Sequence, residues 1–235
     1  MAMLRGLAAG VAQVAMLAVL LLVPAGLVPG GTWVWPHGLW FVGVYGAVTL
    51  ASTTGLAVLR PANFEVRQEN VIAAREKKQP LIDAVGSAAL VVFAAGWLVF
   101  VPLDVFALHL LPAPGAASMA VGGLSALIGM ALINLAIWQN RFATPNLQDQ
   151  SAQGQKVIDS GVYALIRHPI YSGNFWLFGG LSVWLGSYAA LGGLVVLLAA
   201  TVARIAMEEA YLRANVTGYA DYARRVRGRL IPYLL

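Results

Sequence analysis

Long stretches without a single Asp, Glu, Lys or Arg are the feature that most constrains the fold of this chain. They cover four ranges: 6–59, 84–103, 105–140 and 168–203. A helix needs about 20 apolar residues to cross the hydrocarbon core of a bilayer. The composition agrees, because 60% of the residues are hydrophobic and only 11% are charged, whereas about a quarter are charged in an average soluble domain. A soluble domain and a disordered chain are therefore excluded, and we predict an all-α, polytopic membrane helical bundle.

The charge-free stretches divide into about six predicted spans. The first contains Pro and Gly residues near its centre, so we interpret it as two helices at about 5–27 and 38–59. The next stretch is one span at 84–103, and the third begins with a Pro/Gly loop before a span at about 117–139. A cleaved signal peptide is the alternative interpretation of the first span. Its apolar run is longer than the about 7–15 residues of a signal-peptide core, so we expect a retained helix.

The stretch 168–203 allows two interpretations. As one helix its 36 residues would be about 54 Å long, against a hydrocarbon core of about 30 Å. The alternative is a tight hairpin turning near Gly186, Ser187 and Tyr188. With the hairpin and a cytoplasmic N-terminus, all 15 Lys and Arg residues fall on the cytoplasmic side, as the positive-inside rule requires. We therefore predict the hairpin, with both termini cytoplasmic and a cytoplasmic helical tail.

The same charge placement limits the partners. The net charge of +5 is explained by topology and requires no nucleic acid, while membrane lipids are expected around the arginine-rich tail. The absence of cysteine excludes disulfides and thiolate chemistry, and no motif indicates a metal site or a nucleotide P-loop. Arg outnumbers Lys twelve to three, which hints at a GC-rich bacterial genome and therefore at the inner membrane.

Polar residues concentrate in two segments, 148–173 and 204–232, that the hairpin brings to one face of the membrane. We divide the chain accordingly. Residues 1–110 hold the first three spans and a cytoplasmic linker at 60–82. Residues 111–235 hold the last three spans, a loop at 140–171 and the tail, and this part is where we expect the chemistry.

The motifs in these two segments follow a distinctive order: SGVYALIRHPIYSG (160–173), an apolar hairpin, EE (208–209), GYADY (218–222) and RLIP (229–232). This order resembles the isoprenylcysteine carboxyl methyltransferase family and, more broadly, the membrane methyltransferases that include phospholipid and thiol methyltransferases. The resemblance is specific over about 140–235. It implies an S-adenosylmethionine-dependent enzyme whose cofactor enters from the cytoplasm and whose lipophilic acceptor, a prenyl-thioether-like acid, enters from the bilayer.

The resemblance also implies a set of residues that contact the cofactor: Gln148, Gln155, Lys156, Val157, Ile158, Tyr163, His168, Pro169, Ile170, Tyr171 and Glu208. Glu209 is a second acceptor for the cofactor's ammonium or ribose hydroxyls, and His168 and Tyr171 have the chemistry to donate to its carboxylate. Arg204, one helical turn before Glu208, is implied to hold the acceptor's carboxylate. Without the resemblance, Arg204 and Glu208 would be a surface i, i+4 pair and His168 a structural histidine.

The acceptor stays open between three chemistries. A carboxylate is ionised at neutral pH and needs no general base, whereas Arg204 would repel a protonated amine and a base would then be required. Phospholipid N-methylation and small-thiol S-methylation are the enzymatic alternatives. The remaining alternative is a non-enzymatic transporter or accessory protein on the same scaffold, which would be expected to lose part of the set His168, Tyr171, Arg204 and Glu208.

Overall fold

The computed structural model describes residues 2–76, 81–143, 150 and 154–232, and within these ranges it contains eight α-helices and no β-strand. The predicted all-helical fold is confirmed. The helices are α1 (Ala2–Leu27), α2 (Pro36–Leu59), α3 (Pro61–Glu76), α4 (Leu81–Leu103), α5 (Ala116–Gln139), α6 (Pro169–Trp184), α7 (Gly193–Asn215) and α8 (Tyr219–Arg225).

Five helical segments in the described part of the chain are long and apolar enough to cross a membrane: Met3–Leu27, Pro36–Leu59, Val85–Leu108, Ala116–Gln139 and Ala189–Asn215. The sixth predicted span, α6, has 16 residues and is therefore only about 24 Å long. The six predicted segments are thus five full-length helices and one short arm. The protein is an integral membrane protein, and large apolar side chains such as Val92, Val121 and Val195 are largely exposed on the outer surface of the bundle.

The hairpin between α6 and α7 turns at the predicted residues. Gly186 adopts a φ of +99°, a conformation that glycine reaches without steric cost. The Ser187 hydroxyl donates to the Asp104 carboxylate at 2.6 Å and accepts from the Ala190 amide at 3.0 Å. Asp104 begins a π-helical turn (Asp104–Leu108) at the end of α4, so the turn is bonded to a neighbouring helix.

Glycines allow α5 and α6 to pack at very short distance. A Cβ atom added at Gly129 would lie 2.5 Å from the Leu177 amide nitrogen, and one at Gly122 would lie 2.7 Å from the Gly180 carbonyl oxygen. Small residues let helix backbones approach closely inside a membrane. The close packing against α5 therefore fixes the position of α6.

The two ends of α6 lie in different environments. Its C-terminal end belongs to the apolar core, whose buried residues are Leu21, Ala25, Trp35, Phe41, Trp97, Val101, Ala126, Leu181, Leu185 and Ala190. Its N-terminal end, at His168 and Pro169, faces polar side chains from the loop before it and from α7. The polar residues of the chain therefore gather at the end of the bundle opposite the hairpin turn.

Candidate functional site

A cavity of about 530 Å³ lies at the N-terminal end of α6, within the about 300–1,000 Å³ of small-molecule sites. The structure brings eleven of the predicted site residues to its wall: Gln155, Lys156, Val157, Ile158, Tyr163, His168, Pro169, Ile170, Tyr171, Arg204 and Glu208. Gln148 lies outside the described residues. Glu209 is buried but is not part of the wall.

Tyr171 links the two charged residues that α7 contributes to the cavity. Its hydroxyl donates to Glu208 Oε2 at 2.8 Å and accepts from Arg204 Nε at 2.9 Å. Arg204 also donates to the Ser87 hydroxyl of α4 at 3.1 Å and is 6% exposed. A surface ion pair would be exposed and would need no third residue, so this arrangement differs from the surface i, i+4 pair considered above.

Glu209 holds a buried ion network behind the cavity. Its Oε1 atom lies 2.7 Å from Arg167 Nε and 3.2 Å from His168 Nε2. Its Oε2 atom lies 3.3 Å from Arg213, and Arg229 Nε is 3.6 Å from Oε1. A buried carboxylate needs such partners, and the geometry gives Glu209 the role of orienting the His168 ring.

Arg167, which sequence reasoning did not select, ties the tail to the start of α6. Besides its bond to Glu209, its Nη1 atom lies 2.6 Å, 3.1 Å and 3.3 Å from the carbonyl oxygens of Val226, Arg227 and Ala223. The amides of Arg167 and His168 donate to the Gly228 and Arg229 carbonyls, both at 2.9 Å. The segment 223–229 is therefore fixed by one guanidinium and two backbone bonds.

The tail also packs on the loop that precedes α6. The Tyr222 hydroxyl donates to the Tyr163 carbonyl at 2.8 Å, and exposed Arg225 pairs with Asp159 at 2.7 Å. Burial raises the pKa of Tyr163 to about 12 and also raises the pKa of Tyr222. Both phenols thus stay neutral in the folded protein over the physiological pH range.

The turn that carries Tyr163 is built from both sides. Gly161, with a φ of +60°, begins a 3₁₀ turn (Gly161–Ala164). The Gln139 side chain at the end of α5 accepts from the Val162 amide at 2.9 Å. This bond explains why a polar residue, Gln139, lies at the end of a predicted span, and it joins the loop directly to α5.

Further lining residues were not selected as site residues from the sequence, and one of them, Tyr219, lies within the GYADY motif of the second segment. Arg67 belongs to α3, Ser87 to α4 and Tyr219 to α8. Among the residues that the structure describes, the Tyr219 hydroxyl is the buried side-chain polar atom without a hydrogen-bond partner. An unpartnered buried hydroxyl on the wall of a cavity is available to form a hydrogen bond with a ligand or with a water molecule.

The described part of the chain contains no group of three or more His, Cys, Asp or Glu residues that could hold a metal ion. The cavity wall instead combines one carboxylate, several cations and tyrosine hydroxyls with aliphatic side chains. This chemistry suits an organic ligand that carries both charges and an apolar part.

Comparison with known proteins agrees with the fold. Residues 117–216, which run from the start of α5 to just beyond α7, match the family model described as phospholipid methyltransferase. A solved structure of the eukaryotic intramembrane Ras methyltransferase ICMT (isoprenylcysteine carboxyl methyltransferase) is 20% identical and has a TM-score of 0.51, over 96% of this chain and 75% of that chain. No curated protein matches this chain.

The segment 117–216 is thus similar to phospholipid methyltransferases, and the fold is similar to that of an intramembrane methyltransferase. The resemblance found in the sequence is confirmed by the family match over 117–216 and by the similarity of the fold.

Proposed function

We propose that this protein transfers the methyl group of S-adenosylmethionine to the carboxylate of a lipophilic acid. The proposal rests on one observation. The loop before α6, the Tyr171–Glu208 pair and the Arg204 guanidinium all line the same cavity. The cofactor would enter from the cytoplasm and the acceptor from the bilayer.

The residues present fit the cofactor. The Glu208 carboxylate can accept hydrogen bonds from the cofactor's ammonium or ribose hydroxyls, and the unpartnered Tyr219 hydroxyl can donate a hydrogen bond to the cofactor. The backbone around Gln155–Ile158 offers polar groups for the adenine edge, while Val157 and Ile158 offer apolar surface. Glu209, which contacts Arg167 and His168, acts as a positioning residue.

Access from the bilayer is supported by α4. Leu90 and Val91 form part of the cavity wall on this spanning helix, and Val91 is 65% exposed. A side chain that both lines a cavity and remains exposed marks an opening to the surroundings. An acceptor with a long apolar tail could leave that tail in the bilayer and present only its carboxylate to Arg204.

Arg204 then has one task, to hold the acceptor carboxylate in line with the methyl donor. Charge-assisted bonds from a guanidinium to a carboxylate are strong and directional, and Tyr171 and Ser87 fix the side chain in advance. When bound, the cofactor would supply a sulfonium methyl group; the acceptor carboxylate would form the O–CH₃ bond as the S–CH₃ bond broke, and the electron pair of that bond would stay on sulfur. No proton moves, and proximity and alignment provide the rate.

Calorimetry with S-adenosylhomocysteine tests cofactor binding in purified, folded protein. We expect saturable binding by the wild type, weaker binding by Glu208→Gln, and unchanged binding with reduced turnover for Arg204→Gln. Arg224→Gln is the matched control, because this arginine is exposed and pairs with Asp221 away from the cavity. If the wild type shows no saturable binding, the proposal that this protein is an S-adenosylmethionine-dependent enzyme is rejected.

The acceptor class is tested with a labelled methyl group. Protein is incubated with labelled cofactor and with prenyl-thioether acids, phospholipids or small thiols. A carboxyl methyl ester releases its label in mild alkali, whereas N-methyl and S-methyl products retain it. Alkali-stable label on an amine or thiol would reject carboxyl methylation, but it would still support methyltransferase activity.

A further inference from the structure

Arg67 is a cation on α3 whose surroundings have not yet been explained. It is partly buried, lines the cavity, and donates through Nη1 to the Ala143 carbonyl oxygen at 2.6 Å. Burial lowers the pKa of its guanidinium. Within the described part of the chain, no carboxylate lies within ion-pair distance of Arg67.

A guanidinium removed from water is costly unless an anion and further acceptors compensate it. The side chain carries five N–H donors, and one carbonyl satisfies only part of them. Arg67 lines a cavity, is partly desolvated and, among the residues that the structure describes, is bonded to one carbonyl. It is therefore suited to an anionic group of a ligand.

The groups that sequence reasoning assigned to the cofactor's carboxylate are already engaged. The Tyr171 hydroxyl donates to Glu208 at 2.8 Å, and His168 Nε2 lies 3.2 Å from Glu209. Arg204 is held by Tyr171 and Ser87 on the α4 and α6 side of the cavity. Of the other cations in the wall, Arg167 is paired with Glu209 and Lys156 is exposed. Arg67 is therefore the partly buried cation that remains for a second carboxylate.

The position of Arg67 indicates which ligand it serves. Its partner Ala143 follows Phe142, whose carbonyl oxygen accepts from buried Gln150 at 3.0 Å. Tyr163, which lies in the same loop, lines the cavity together with Arg67. These contacts lie in the 140–171 loop, which the proposed function gives to the cofactor, whereas Arg204 contacts α4 and α6.

We infer, on the basis of the proposed function, that Arg67 binds the carboxylate of the amino-acid part of S-adenosylmethionine. Two arginines then divide two carboxylates between them: Arg67 holds that of the cofactor and Arg204 that of the acceptor. Arg67 lies outside the segment 117–216 that matches the family model, so α3 contributes a ligand-binding residue from outside the matched region.

Arg60 provides a matched control. It lies between α2 and α3 and, like Arg67, donates to a backbone carbonyl near the end of α5, in this case that of Trp138 at 3.3 Å. Its guanidinium also stacks 5.1 Å from the centre of the Trp138 ring. Arg60 is exposed and is not part of the cavity wall, so it shares the attachment of α3 to α5 without facing the ligand.

Calorimetric titration of the purified full-length chain tests the inference without any methyl acceptor. The ligands are S-adenosylmethionine and decarboxylated S-adenosylmethionine, which keeps the adenosine, sulfonium and ammonium groups and lacks only the carboxylate. We expect the wild type and Arg60→Gln to prefer the complete cofactor by roughly 10- to 100-fold, the range for hydrogen bonds to charged groups. Arg67→Gln should lose most of this preference and bind the decarboxylated ligand normally.

Each of the other possible results contradicts one step of the inference. If Arg67→Gln keeps the full preference, or weakens both ligands equally, Arg67 does not bind the cofactor's carboxylate. Normal cofactor binding with a raised KM for the acceptor would assign Arg67 to the acceptor instead. Wild-type protein that binds neither ligand rejects the proposed function itself. If Arg67→Gln does not fold, Arg67→Met, which keeps an apolar stem, is measured in the same way and judged by the same outcomes.

Discussion

Replacing Arg167 by Met should release the tail from the start of α6. The substitution removes the bond to Glu209 at 2.7 Å and the contact with the Val226 carbonyl at 2.6 Å. Both side chains of the ion pair are 5% exposed. Loss of one partner of a buried pair costs about 3–5 kcal/mol. Arg213 and Arg229 partly neutralise the remaining Glu209 charge, so we expect a value near the lower end, about 3 kcal/mol.

A loss of about 3 kcal/mol corresponds to a roughly 100-fold larger population of the detached tail. Hydrogen–deuterium exchange of peptides that cover 166–168 measures this population, because the amides of residues 167 and 168 donate to the Gly228 and Arg229 carbonyls of the docked tail. Arg213→Gln is the control: it removes a half-exposed i, i+4 partner of the same Glu209 carboxylate and should cost only about 0.3–0.5 kcal/mol. Equal exchange in the two variants would refute the reasoning.

The remaining predictions concern packing, the orphaned hydroxyl and pH. Gly129→Val should lower the melting temperature in detergent by forcing α5 away from α6, at a cost of about 1–3 kcal/mol, whereas Gly43→Ala, with nothing within 4 Å of the new Cβ, should not; equal melting temperatures would contradict the packing account. Tyr219→Phe should leave the stability without ligand unchanged and weaken S-adenosylhomocysteine binding, and a calorimetric affinity equal to wild type would remove Tyr219 from the site. Because the folded state keeps the Tyr163 proton up to about pH 12 and the unfolded state loses it near pH 10, stability should fall as the pH rises above about 10. Tyr163→Phe should reduce that loss in melting scans, and an unchanged alkaline slope would contradict the assignment.

The sequence predicts the helices well because hydropathy and charge act on every residue of a spanning segment. The hairpin at Gly186 followed from the length limit of a bilayer and from the placement of Arg residues, and the structure has it. The short length of α6, 16 residues, follows from the same prediction, because a turn near Gly186 leaves only a short arm after Pro169. The Ser187–Asp104 bond that holds this turn was not predictable, because Asp104 is far away in sequence.

The site was predictable where its residues lie in the two motif segments. Arg167 was missed, although it stands inside the RHP motif, because the tail groups it binds are backbone carbonyls that leave no trace in the residue types. Arg67 and Ser87 were missed because they reach the cavity from helices remote in sequence. Adjacent residues on an α-helix point about 100° apart, and accordingly Glu208 lies in the cavity wall whereas Glu209 does not.

The ion network behind the cavity has a consequence for the biogenesis of the protein. Arg167 precedes the hairpin, Glu209 follows it, and the carbonyl groups at 223–229 come later still. A chain whose hairpin failed to insert would leave these charges on separate sides or at separate depths, and the wall made by His168 could not form. Ligand binding would then indicate correct membrane insertion as well as folding. A cell that degrades the ligand-free protein would therefore also remove misinserted copies.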